Sequence, residues 1–148
     1  MLLAAAAIGC DGGGWSWDEV SRVRSPDGSR DAVLIERNGG ATTSFGYEVF
    51  VVPHDAPVHE GAPGTVASLY AATRNAQAYG VNLRWLPGDT LAVEYLRARE
   101  ALTHAPALSR RQDGLRVVLR AGVEDPSAPS GGMQHNRERT GAAGPNAR

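Results

Sequence analysis

Apolar residues along this chain recur at every second position far more often than at helical spacing. Phe45, Tyr47, Val49 and Val51 alternate across one segment with Glu48 on its other side. Val81, Leu83 and Trp85 alternate with Asn82 and Arg84, and Leu91, Val93 and Tyr95 with Ala92 and Glu94. A period of two sends successive side chains to opposite faces of a strand, so each segment predicts a half-buried strand. Pro87-Gly88-Asp89 between the last two predicts a hairpin. Trp17 to Arg24 reads as a strand, and Ser25-Pro26-Asp27-Gly28 as a turn whose proline presets φ and whose glycine closes it. Arg30 to Arg37 reads as the next strand, with Ala32 to Ile35 continuously apolar, and Asn38-Gly39-Gly40 as the turn after it. Leu115, Val117 and Leu119 give the last strand.

Three stretches break the alternation. Residues 53–64 carry three prolines and two glycines and predict an irregular loop. Gly64 to Asn75 fits a helix through Val66, Leu69, Tyr70 and Thr73, or a strand through Thr65, Ala67 and Leu69; the β surroundings favour the strand. Arg97 to Ser109 is polar and alanine-rich, with partly helical character. The sum is a mostly β domain over residues 15–122, a small antiparallel sheet or β-sandwich of about six to seven strands with room for one short helix. From Val123 to Arg148 the chain has few large apolar residues and several prolines and glycines, and predicts a disordered tail.

The N-terminus follows a different logic. Leu2 to Gly9 is an apolar run that ends in small residues, followed by Cys10 and then Asp11-Gly12-Gly13-Gly14. This is the layout of a bacterial lipoprotein signal: residues 1–9 would be removed, Cys10 lipidated, and residues 10–14 would form the lipidated cysteine and its flexible tether. The apolar core is short and no basic residue precedes Arg22, which a start site further upstream would explain. The alternative is a short apolar N-terminus with an ordinary cysteine. Asp11 after the cysteine favours retention at the periplasmic face of an inner membrane. No run approaches the ~20 apolar residues of a transmembrane helix.

Composition removes several chemistries. The chain has 15 basic and 16 acidic residues, and every basic one is arginine. A near-neutral surface without a basic stripe disfavours nucleic acid. Without lysine there is no Schiff base and no Ser/Lys dyad. A single cysteine excludes an intramolecular disulfide and a multi-cysteine metal site. No cofactor is expected.

Two clusters retain chemical interest. Gly39-Gly40 followed by Ala41, Thr42, Thr43 and Ser44 could bind an anion or sugar through its hydroxyls, or could simply be a glycine turn whose threonines start a strand. His54, Asp55, His59 and Glu60 fall within seven residues, and His54, His59 and Glu60 could hold a divalent cation or act as acid and base. The same residues are common in solvated loops. Trp17 and Trp85 read as core aromatics, whereas Trp15 beside the tether reads as exposed.

Ser25-Pro26-Asp27-Gly28, the segment from Asn38 to Phe45 containing Gly40-Ala41-Thr42-Thr43, and Trp85 with Asp89 and Leu91 together resemble a group of small uncharacterised bacterial proteins. Members of that group are often lipoproteins or membrane-anchored, and some have cysteine where Gly39 stands here. The resemblance implies export and no catalytic residues. The reading that follows is a lipid-anchored envelope protein acting as a non-catalytic binding or structural module, partnered by the membrane through Cys10 and by a protein of the envelope. A metal-assisted hydrolase using the 54–60 loop and an envelope immunity or inhibitor protein are the alternatives.

Overall fold

The computed structural model describes residues 15–104 and 114–127, and within them every regular element is a strand. The eight strands are β1 (Ser16–Arg24), β2 (Arg30–Asn38), β3 (Gly46–Pro53), β4 (Thr65–Tyr70), β5 (Val81–Leu86), β6 (Thr90–Tyr95), β7 (Glu100–Thr103) and β8 (Arg116–Ala121). They form a five-stranded sheet ordered β1-β2-β3-β4-β7 and a three-stranded sheet ordered β5-β6-β8. The protein is thus mostly β, as the alternation predicts.

Each hairpin is set by local chemistry. At the β1–β2 turn the Gly28 amide donates to the Ser25 carbonyl (2.9 Å), and Asp27 accepts from the Ser25 hydroxyl (2.6 Å) and the Ser29 amide (3.1 Å). Gly28 takes φ +74°, which a side chain rarely tolerates. Leu86 pairs directly with Thr90 across the β5–β6 turn, where Gly88 and Asp89 both have positive φ.

The core lies between the sheets. Leu34, Tyr47, Val49, Val66 and Leu69 from the first sheet meet Val81, Leu83, Leu91 and Val93 from the second, all buried. The opposite face of the first sheet carries a smaller apolar cluster of Val33, Ile35 and Phe50. Residues 53–64 cross that face as a strap, laying Val58 and Ala62 on the cluster, while Trp17 packs edge-on against Phe50 with ring centroids 5.9 Å apart. Both faces of β2 are therefore covered, and residues 31 to 36 are buried in succession. This explains why Ala32 to Ile35 reads as a continuous apolar run and not as an alternation.

Three elements differ from expectation. The Arg97–Ser109 stretch contains β7 in place of a helix, because residues 100–103 pair with the open edge of β4 and sheet pairing overrides a modest local propensity; residues 105–109 lie outside the described residues. No helix occurs among the described residues, and the strands number eight. The β6–β8 pair is parallel, since β8 follows β7 from the other sheet and returns along the free edge of β6 after a long connection. The 64–75 stretch does form the favoured strand, β4, which leaves the sheet after Tyr70. Past Gly122 the chain stays attached: the Val123 amide donates to the Tyr95 carbonyl, and Asp125 bridges to Ala78 and accepts from Asn82 (2.8 Å). The signal segment, Cys10 and the tail beyond Ser127 lie outside the described residues.

Candidate functional site

The face of the first sheet that points away from the second sheet gathers most of the interacting polar groups. A β-bulge between Glu19 and Ser21 adds one residue to β1. On a regular strand residues three apart face opposite ways; the bulge brings Glu19 and Arg22 to the same face, where Arg22 Nε donates to Glu19 (2.9 Å). Arg22 also donates to Asp31 (3.0 Å) and to the Ala56 carbonyl of the strap (3.2 Å).

Asp31 is almost fully buried and fastens one end of the strap. It accepts from Arg22, from the Asp55 amide (2.9 Å) and from His54 Nδ1 (3.0 Å). Burial opposes its ionisation, but the Asp55 amide, His54 and Arg22 outweigh that cost and hold its carboxyl below the usual aspartate range. His54 Nε2 meets Asp55 (3.0 Å) and the guanidinium of Arg24.

Asp31, His54 and Asp55 offer ligand atoms within 4.8 Å of one another. These atoms already serve the fastening, with Arg22 donating to Asp31 and Arg24 meeting His54 Nε2. Glu60 is elsewhere, bonded to Arg37 (3.0 Å). Asp31 and Arg37 are six residues apart on β2, roughly 20 Å, so the strap spreads His54 and Glu60 to opposite ends of the face. His59 is exposed between them. The structure does not bring His54, His59 and Glu60 together.

Arg37 fastens the strap farther along, at Glu60. Its guanidinium donates to Glu48 (2.9 Å) and Glu60 (3.0 Å) and lies over both Trp15 (5.6 Å) and Trp17 (5.7 Å). One side chain thus links sheet, strap and N-terminal segment through two ion pairs and two cation–π contacts. Gly39 has to be small here: a Cβ would come within 2.8 Å of the Trp15 ring and of Thr43 Oγ1. Any side chain at this position would require Trp15 to move.

Beyond the strap the sheet face opens into a groove of about 360 Å³ over β3, β4 and β7. Gly46 leaves its floor low, Trp15 and Leu102 form walls, and Glu48, Tyr70 and Glu100 supply polar groups. Trp15 (49% exposed) and Leu102 (54%) are the large apolar side chains left exposed among the described residues. The Tyr70 hydroxyl accepts from the Ser44 amide (3.2 Å). The hydroxyl segment itself is committed to its turn: the Gly40 carbonyl accepts from the Thr43 amide (3.2 Å) and hydroxyl (3.3 Å), and Asn38 accepts from the Gly40 amide. Thr42 and Ser44 are exposed beside the groove, outside its lining.

Sequence reasoning missed two features. Ser68, in the groove lining, bonds His104 Nε2 through its hydroxyl (2.8 Å), a meeting produced only by β4–β7 pairing across 36 residues. Among the described residues no carboxylate bonds this histidine. The second is a carboxylate in the core. Glu36 is fully buried on the inner face, where it accepts from the Tyr47 hydroxyl (3.0 Å) and pairs with Arg74 (3.3 Å). Burial pushes its carboxyl up to about 7, against the opposing pull of Arg74 and Tyr47 and with a small push from Asp18. The signal was a glutamate following Ala32–Ile35 in phase with Leu34.

No helix among the described residues is long and apolar enough to cross a membrane. No family model matches the chain, and no match was found among curated proteins or solved structures.

Proposed function

We propose that this chain is an exported envelope protein, lipid-anchored through Cys10, whose β domain is a non-catalytic binding module that takes its ligand in the groove beside Arg37. The observation that carries the binding half is the convergence of Trp15 and Leu102 on one concavity that also presents Glu48, Tyr70 and Glu100. A half-exposed tryptophan and leucine lining one pocket with a few polar groups is how binding sites are built, whereas scattered apolar residues need no such account. The anchoring half is supported by the apolar run, Cys10 and glycine tether, and by the resemblance to small membrane-anchored bacterial proteins.

Cell fractionation and in-cell photo-crosslinking test the two halves. Wild type should sediment with membranes and Cys10→Ser should be released to the soluble exported fraction; wild type in the cytosol would overturn the address. A photo-reactive amino acid at Leu102 should give adducts that the same group at Asp89, exposed on the β5–β6 turn, does not. Equal yields from both positions would remove the groove as the binding face.

A further inference from the structure

We infer that the Trp15–Leu102 groove is the face this domain turns to the bilayer, and that its occupant is the headgroup layer of a zwitterionic membrane. The inference rests on the anchoring of Cys10 proposed above. It begins with chain length. Five residue steps separate Cys10 from Trp15, a reach of roughly 17 Å when fully extended. Trp15 does not swing freely at the end of that link, because Arg37 lies over its ring and Gly39 packs against its edge. A lipid on Cys10 therefore holds the groove wall itself close to the membrane.

The side chains at that wall suit the position. Trp15 and Leu102 are the large apolar groups left exposed among the described residues, and Tyr70 lies between them in the same lining. Tryptophan and tyrosine, with an apolar body and a polar tip, concentrate at the headgroup level of bilayers. Charge selects the surface. Glu48 and Glu100 line the groove and Glu60 stands beyond Arg37, whose guanidinium is engaged by Glu48 and Glu60. The net negative charge left on this rim after Arg37 pairs with Glu48 and Glu60 is repelled by an anionic surface, which leaves a zwitterionic one as the partner.

Cys10 is the one thiol in the chain, so docking can be tested apart from natural acylation. Full-length protein is coupled through Cys10 to a maleimide-headgroup lipid in phosphatidylcholine/phosphatidylethanolamine vesicles. Its tryptophan emission is then compared between vesicles with plain and with brominated acyl chains. Wild type should lose about a third of its emission to bromine, one tryptophan of the three present. Trp15→Phe should abolish the bromine-dependent loss, and Leu102→Asp should cut it by about half, since its apolar wall no longer enters the interface. Circular dichroism confirms that both variants keep the sheet. No bromine-dependent loss in coupled wild type, or an undiminished loss in Trp15→Phe, would overturn the docking face. A Cys10 found unacylated in cells would instead overturn only the anchor.

Discussion

Glu36 is a carboxylate whose chemistry departs from its sequence setting because it is buried in the core. A carboxyl at about 7 in the folded protein and 4.5 in the unfolded chain binds more protons folded than unfolded between those values. Stability should therefore fall as pH rises from 4.5 through 7, by an amount on the order of 3 kcal/mol from this group. Asp31 acts with the opposite sign, since its lowered carboxyl contributes stability that is lost as pH falls through and below the ordinary aspartate range. Urea unfolding of wild type and Glu36→Gln at pH 5 and pH 8 separates the two: the wild type should weaken at the higher pH and the variant should not. Parallel behaviour would place the charge burden elsewhere. Asp31→Ala should cost about 2–4 kcal/mol at neutral pH, because it removes the buried acceptor shared by the Asp55 amide, His54 and Arg22 and leaves a cavity behind it. Gly80→Ala should be at least as damaging as an ordinary core change, about 2 kcal/mol or more, since φ is +102° and the added Cβ would overlap the Tyr47 phenol. None of these roles was legible as such. Residues 31, 36 and 80 lack local motifs, and their partners lie 9 to 38 residues away or on another strand.

The elements divide by how locally they are determined. The β5–β6 hairpin was legible because its turn residues, alternation and pairing all lie within one short segment. β2 was legible for a different reason, since burial on both faces demands a run of apolar residues. β7 was not, because its identity as a strand depends on the open edge of β4 some thirty residues earlier. The strap was read as a polar loop with metal-ligating residues, whereas its function in the fold is to cover Val33, Ile35 and Phe50. Proline and glycine made its irregularity visible; the alternation on the far sheet face that needs covering was too short to announce it. Arg37 anchors this element through Glu60, so Arg37→Ala should loosen it. Cleavage at Glu60 by a glutamate-specific protease should then rise roughly tenfold under native conditions, as local opening becomes easier by about one decade. An unchanged rate would mean that Asp31 and the apolar cover hold the strap without Arg37.

At the scale of the molecule, the two faces of the first sheet have separate duties. The inner face meets the second sheet and makes the main core, and it buries Glu36. The other face is half covered by the strap and half open as the groove, and Arg37 marks the border between them. That arrangement places Trp15 at the edge of the open half, so the anchor and the binding groove proposed above would share one end of the domain. The β architecture was legible from alternation alone; the groove was not, because Trp15, Glu48, Tyr70 and Leu102 come from four separate segments that only sheet order assembles. Lipid attachment is the central claim, and intact-mass analysis of the protein extracted from membranes of its native host tests it most directly. The account predicts a chain that begins at Cys10, lacks residues 1–9, and carries a thioether-linked diacylglycerol on that cysteine. A chain retaining residues 1–9 with a free thiol would contradict it.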